Sequence, residues 1–269
     1  MVSSIPATGM IPFFFAAAKN AGTLVDNFCN VLGVTGLLGS GRTELALALF
    51  GLEKPTSGDI ILNGKKVKIA NPIAAQKLKI GYVPEDRLTE GLCLAQPIAD
   101  NIALSSLKRL AKAFGVLKRQ DVIDEGNKWR ETFSIKTDDV RKNASTLSGG
   151  NQQKIVLAKW LANDLDVLIL NGPTVGVDVG AKQDIHALVH ELANQGLAVI
   201  IISDDLPEVV VNTSRVLVMK EGGLHWLSML PSLGDRPMQE VWNDDLGVYE
   251  YVQCDNSQQI LLFAVATLA

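Results

Sequence analysis

Short apolar runs alternate along this chain with longer stretches of helical spacing. Val31-Leu32-Gly33-Val34 is a continuous apolar run ahead of a glycine-rich segment and predicts a buried strand, with a helix from Thr43 to Phe50 after it. Asp166 to Leu170 and Val199 to Ile202 predict two further buried strands. Between them, Ala181 to Asn194 sets Ile185, Leu188, Val189 and Leu192 on one helical stripe, a core-facing side. Strands and helices taken in turn predict an α/β fold built on a mainly parallel sheet. The zone from Leu107 to Asn143 reads differently. It has helical spacing around Trp129 and Phe133, and ten Lys/Arg against six Asp/Glu. Such charge suits a solvated helix face as well as a contact surface. Met10 to Ala18 and Ile260 to Ala269 are apolar but fall short of the ~20 residues that a membrane span needs. No Lys or Arg precedes the first, which argues against an export signal.

Two segments carry chemistry. Gly36-Leu37-Leu38-Gly39-Ser40-Gly41-Arg42-Thr43 joins the first strand to the first helix with the G-x-x-x-x-G spacing of a Walker A phosphate loop. Its glycines let successive amides turn inward to phosphate oxygens, and Thr43 would offer its hydroxyl to Mg²⁺. Arg42 stands where Lys is usual. It keeps the charge but replaces a compact ammonium with a planar fork. Downstream, Leu147-Ser148-Gly149-Gly150-Asn151-Gln152-Gln153-Lys154 reads as a loop delivering amides to a helix N-terminus, a place suited to phosphate.

The octet resembles the signature motif of ABC ATPases in the LSGGNQQK form of bacterial sugar importers. The GRTE wording around Arg42 is similar to the second (C-terminal) ATP-binding half of importers of the ribose, galactose and xylose type. The likeness runs from about Leu32 to Gly223. Ser57 to Gly64 resembles the hairpin after the first helix, with Asn63-Gly64 as its turn. Ile80 to Arg87 resembles the strand and Q-loop, with Glu85 where most such domains have Gln. Asn171-Gly172-Pro173-Thr174 takes the Walker B position, Val175 to Asp178 the D-loop, and Ser203-Asp204-Asp205 the switch.

The resemblance implies a P-loop NTPase core over residues 31–223, with a helical subdomain inserted at about 95–155 and divergent segments at 1–30 and 224–269. It implies ATP and Mg²⁺ as cofactors. The nucleotide-binding residues would be Gly36, Gly39, Ser40, Gly41, Arg42, Thr43, Glu85 and Asp178, with Ser148, Gly149 and Gly150 of the signature closing over ATP held by a second nucleotide-binding domain. Integral membrane permease subunits are the further partners, with a periplasmic sugar-binding protein acting indirectly. The place implied is cytoplasmic, peripheral on the inner face of the plasma membrane. Family members of this wording usually carry two ATP-binding halves on one chain of roughly twice this length.

Departures from the family bear on the chemistry. Walker B needs one carboxylate for Mg²⁺ and a Glu to orient the attacking water; Asn171 and Gly172 supply neither. Asp204 replaces the switch His. Neither Asp178 nor Asp204 is expected to compensate, since neither is read at a strand end adjoining the phosphate loop. Hydrolysis at this domain's own site is therefore expected to be impaired, with no catalytic residue assigned. Met1 to Asn30 lacks the aromatic that stacks on adenine, although Leu24 to Phe28 resembles a remnant of that region. After Gly223, Trp226, Trp242 and Tyr249 belong to no motif. Divergence at both ends also fits a truncated or frame-altered family member.

At 269 residues and 47% hydrophobic, the chain can bury a large core, and its net charge of −4 shows no overall basicity for nucleic acid. Cys29, Cys93 and Cys254 are odd in number and far apart, which points to a reducing compartment and neither a disulfide framework nor a zinc site. His186 and His190 share a helix face, but no Glu follows the first and no third ligand is near, so zinc is not expected. Ser40 lacks the G-x-S-x-G context of a nucleophile. The leading expectation is an ATP-binding subunit or half-subunit of a carbohydrate importer. The alternatives are a non-catalytic domain donating its signature to another subunit, a non-functional remnant, and a P-loop small-molecule kinase, against which the signature argues.

Overall fold

The computed structural model describes residues 31–55, 59–63, 65–111, 115–213, 215–220, 222–229, 238–243, 248–253 and 262–266. The expectations for Met1 to Asn30, for Cys29 and Cys254, for Ser57, Gly58 and Gly64 of the hairpin, and for half of Ile260 to Ala269 lie outside these residues.

Two compact units divide at Met229 and Leu230. In the first, a six-stranded sheet has the order β4-β5-β6-β1-β7-β8. Its strands are β1 (Val31–Gly36), β4 (Ile80–Val83), β5 (Val167–Asn171), β6 (Ala198–Ile202), β7 (Arg215–Lys220) and β8 (Gly223–Met229). Neighbours from β4 to β7 run parallel, and β8 returns antiparallel to β7. The sheet thus continues past Gly223, where the family likeness was expected to end. A small hairpin, β2 (Ile60–Leu62) and β3 (Lys65–Val67), stands apart from it, with Asn63 in the left-handed region at its turn. The second unit is an antiparallel sheet of order β11-β10-β9, formed by β9 (Met238–Asn243), β10 (Val248–Gln253) and β11 (Leu262–Ala266).

β4, β5 and β6 are buried at every position, as parallel strands covered on both faces must be. Alternate residues feed two cores. Leu168, Leu170, Val199 and Ile201 face one, while Val167, Ile169, Ile200 and Ile202 face the other with Phe50 and Tyr82. Phe50 ends α1 (Arg42–Phe50), stacking on Tyr82 at 5.2 Å and meeting Trp160 edge-on at 5.3 Å. α2 (Pro72–Lys77) is capped by Asn71, whose side chain accepts from the Ala74 amide.

The other face carries α3 (Ile98–Ala103), α4 (Leu107–Leu110), α5 (Arg119–Thr132), α6 (Gly149–Leu161) and α7 (Val179–Asn194). α5 confirms the helical spacing around Trp129, which packs edge-on against Phe133 at 5.2 Å. Buried Glu125 accepts from Trp129 Nε1 at 2.9 Å and Arg109 at 2.5 Å, which satisfies a carboxylate taken out of water. α8 (Leu206–Asn212) follows β6, N-capped by Asp205. Among the described residues no helix is long and apolar enough to cross a membrane.

Candidate nucleotide site

Loops leave the carboxyl ends of β1, β4, β5 and β6 on one edge of the sheet, where open α/β folds place ligands. The β1 loop is the predicted phosphate loop. Gly41 has φ +95°, and a Cβ there would stand 3.0 Å from the Gly222 backbone, so the loop's entry to α1 admits no side chain. Ser40 is buried, with its amide bonded to the Leu37 carbonyl at 3.0 Å and its hydroxyl without a hydrogen-bond partner among the described residues. Leu38 at the loop tip is 96% exposed.

Arg42 does not project into open solvent. It is buried beneath the loop, where Nη1 donates to the Gly36 carbonyl and Nη2 lies 3.4 Å from the Asp204 carboxylate. The expectation that Asp204 would not adjoin the phosphate loop is therefore overturned. Parallel pairing of β6 with β1 brings the segment after Ile202 beside it, a neighbourhood that sequence distance conceals.

A cleft of about 510 Å³ opens between the β1, β4 and β5 loops, and Thr43, Tyr82, Glu85, Arg87 and Asn171 contribute to its lining. Asn171 ends β5 almost fully buried and hydrogen-bonds Tyr82, whose phenol burial holds above its ordinary pKa. Gly172 then turns with φ +57°. The Thr43 hydroxyl, Asn171 amide and Glu85 carboxylate are hard oxygen donors of the kind that Mg²⁺ accepts beside phosphates. No group of three His, Cys, Asp or Glu fit to hold a metal occurs among the described residues, so a cation here would draw its other ligands from nucleotide and water.

The signature segment does not line this cleft. Ser148 precedes α6, and its Oγ accepts from Asn151, which also takes the Lys136 amide at 2.8 Å. Gly150 packs on α7 so closely that a Cβ would lie 2.4 Å from Ala181 Cβ. Asp178 caps α7, accepting from the Ala181 amide at 3.0 Å.

Sequence reasoning missed three things here. Arg87 donates to the carbonyls of Val175 and Gly176, at 2.6 and 3.0 Å, and its Nη2 lies 2.7 Å from where a Gly149 Cβ would stand. One guanidinium thus ties the Q-loop, the D-loop and the signature. Asp86 fixes the turn before it by accepting from the Leu88 and Thr89 amides. Glu208, buried at the start of α8, accepts from Thr174 and Ser203, each at 2.6 Å, with His186 Nε2 at 3.3 Å. Burial pushes the Glu208 carboxyl up, but the donors His186, Ser203 and Thr174 outweigh it and hold the pKa below its ordinary value. His190 contacts Asn212 at 3.4 Å, so both histidines serve α7–α8 contacts. The PED-Arg wording could have flagged Arg87; nothing local flagged Glu208.

Comparison with known proteins agrees with this geometry. The family described as ABC transporter matches residues 28–175, more than half of the chain. The ribose import ATP-binding protein RbsA 3 of Rhizobium etli is 45% identical over 192 residues, covering 71% of this chain and 37% of the relative. The xylose import ATP-binding protein XylG of Thermoanaerobacter pseudethanolicus is 43% identical over 211 residues, covering 78% and 40%. The chain thus spans about two fifths of the length of these curated relatives. Among solved structures, a nucleotide-free ATP-binding cassette from an ABC transporter superposes with a TM-score of 0.65 at 19% identity, covering 76% of this chain and 81% of the other. A dimeric cassette in a post-hydrolysis state, bound to ADP and Pi, gives 0.64 at 21%, covering 81% and 92%. The phosphate loop, the signature, the sheet order and these likenesses converge, and the chain belongs to the ABC transporter ATP-binding family.

Proposed function

We propose that this chain is an ATP-binding half of a sugar importer, equivalent to the C-terminal half of its longer relatives. It would work against a second nucleotide-binding domain and membrane permease subunits at the cytoplasmic face, with a periplasmic binding protein delivering the sugar. ATP would lie on the amides of Gly36 to Thr43 and be covered by the partner's signature. Bound Mg²⁺, held by the Thr43 hydroxyl and the phosphates, would neutralise phosphate charge. The chain's own Ser148, Gly149 and Gly150 would cover the partner's nucleotide in return.

One observation carries this reading. The signature glycines stand where side chains have no room, and Arg87 braces them from behind together with the D-loop. A phosphoryl-transfer enzyme acting alone has no use for such an edge. Asn171 and Gly172 leave the domain's own site without Walker B carboxylates, so its hydrolysis would be weak beside that at the partner's site.

Calorimetric titration with Mg-ATP tests the first step. Binding weaker than about 1 µM is expected, because the phosphate cradle is kept and nothing in Met1 to Asn30 matches the family's adenine-stacking pattern. Mixing with a catalytically intact ATP-binding half tests the second. Hydrolysis should rise above that of either domain alone, and no rise would leave the chain a non-functional relative.

A further inference from the structure

We infer that Asn151 is a positioning residue that fixes the Ser148 hydroxyl as an outward hydrogen-bond donor, aimed at a phosphate oxygen of the nucleotide held by a second domain. The inference rests on the reading that Ser148, Gly149 and Gly150 cover that nucleotide. It adds what makes the serine ready to do so.

Hydrogen-bond polarity carries the argument. The Lys136 amide meets the Asn151 side chain at 2.8 Å. A backbone N–H donates and never accepts, so the atom it meets is the carboxamide oxygen. The other end of the same carboxamide is then its NH2 group, which lies 2.9 Å from Ser148 Oγ. That group also only donates, so the serine oxygen is the acceptor and its own proton is left over. Ser148 is exposed and makes no side-chain bond to the first amides of α6, the helix that it heads. The spare proton therefore faces an acceptor arriving from outside.

This inverts the usual start of a helix. A serine in that place ordinarily turns its oxygen back onto the first amides. In a capping box, the third helical residue reaches back to accept from the serine's own amide. Asn151 is the third residue of α6, yet it donates to the serine side chain and gives its oxygen to Lys136. The anchor at Lys136 is backbone on a tight turn. Ser134, at φ +48°, reverses the chain after α5, and the Ile135 amide closes on the Arg130 carbonyl at 2.9 Å. Asn151 is thus oriented by a fixed group of a neighbouring element.

Phosphate oxygens accept hydrogen bonds. A serine free to rotate spends part of its time with the proton turned elsewhere. A serine already committed as an acceptor on its inner side keeps the proton outward, and a donor set in advance costs no reorganisation when charge develops.

The test mixes the full 269-residue chain with a catalytically intact ATP-binding half and reads the stimulated turnover of Mg-ATP. Ser148→Ala should lower stimulation about a hundredfold, the scale for one oriented donor. Asn151→Asp keeps the acceptor for Lys136 but makes the other end an acceptor too. The hydroxyl should then swing inward to donate, and stimulation should again fall about a hundredfold. Asn151→Ala frees the hydroxyl to rotate and should cost about tenfold or less, the size of one ordinary hydrogen bond. Both Asn151 contacts are exposed, so the melting temperature should hold in each variant. The decisive measurement is Ser148→Ala with Asn151→Ala, which should stay within about twofold of Ser148→Ala alone because Asn151 acts through Ser148. Losses that multiply would place Asn151 on the nucleotide itself and overturn the inference; this arm holds even if Asn151→Asp does not fold. Equal losses in the Ala and Asp variants with a lowered melting temperature would make Asn151 structural only and overturn it as well. A loss in Ser148→Ala with none in either Asn151 variant overturns the inference and leaves the covering reading standing. Full stimulation by Ser148→Ala, or none by wild type, overturns both.

Discussion

The two ends of the nucleotide machinery on this domain have been treated differently. At the signature edge the wording is whole, and the structure holds it from behind: Arg87 grips the D-loop carbonyls and lies against Gly149, while Gly150 is locked on Ala181. At the Walker B edge the backbone is whole and the chemistry is stripped. β5 ends at the right place, but its last residue is an amide bonded to Tyr82 and the next is a bare turn. The difference teaches that the scaffold of such a site and its reactive groups are separable. Packing fixes where strands end, whereas charge at those ends is a matter of single side chains.

The sharpest way to break the contrast is Gly149→Asp. Its carboxylate would be set between the Arg87 guanidinium and the Gly176 carbonyl, 2.7 and 3.0 Å from the new Cβ. Stimulation of an intact partner's ATPase should fall roughly 10²-fold or more, the scale seen when one charge-stabilising donor is lost. Circular dichroism should be unchanged. Equal stimulation by wild type and variant would remove the signature from the functional account.

Glu208→Ala probes the shared scaffold. It would leave Thr174, Ser203 and His186 without their acceptor, and urea unfolding should show a loss of about 2 kcal/mol. Because the folded pKa of Glu208 lies below its unfolded value, near 4.5, its stabilisation is complete above that pH and is lost as pH falls through the folded value. Wild type should therefore lose stability on acidification below about pH 4.5, and Glu208→Gln should lose less. Parallel acid curves for the two proteins would refute the assignment.

Lys159 sharpens the picture on the opposite face. Burial lowers its pKa to about 8, and its ammonium donates to the Gly91 carbonyl at 2.6 Å. Between that value and 10.5 the unfolded chain binds the proton that the folded one has released, so this group's contribution rises with pH there. Lys159→Met should abolish that increment in a pH series of thermal melts.

The smallest effect belongs to Asp204→Ala. It frees Arg42 from an ion pair whose acidic partner is 68% exposed, so the pair is worth at most about 1 kcal/mol. Mg-ATP affinity should rise no more than about fivefold, and a fall would mean that Asp204 helps to hold the cation.

Much of the fold was legible because it is written locally. Val31 to Val34, Asp166 to Leu170 and Val199 to Ile202 became β1, β5 and β6 within a residue or two, and Asp178 capped the expected helix. The phosphate loop and signature were legible because glycine spacing is itself the motif. The contacts that decide chemistry were not. Glu85 meets Gly172, Arg87 meets Gly176 and Arg42 meets Asp204 only because parallel strands align their ends. Pairing of this kind joins residues through register, and nothing within either segment encodes its neighbour. The strand Gly223–Met229 was missed because its text matched no family wording, although it pairs along the length of β7.

Arg87 stands two positions after Glu85, on the same turn, stiffened by the Asp86 carboxylate. Both residues line this domain's cleft, and Arg87 also grips the rim that would cover the second domain's nucleotide. News of what happens to one ATP would then need no wire through the protein to reach the other. It would cross a single stiff turn, as a lever passes motion over its pivot.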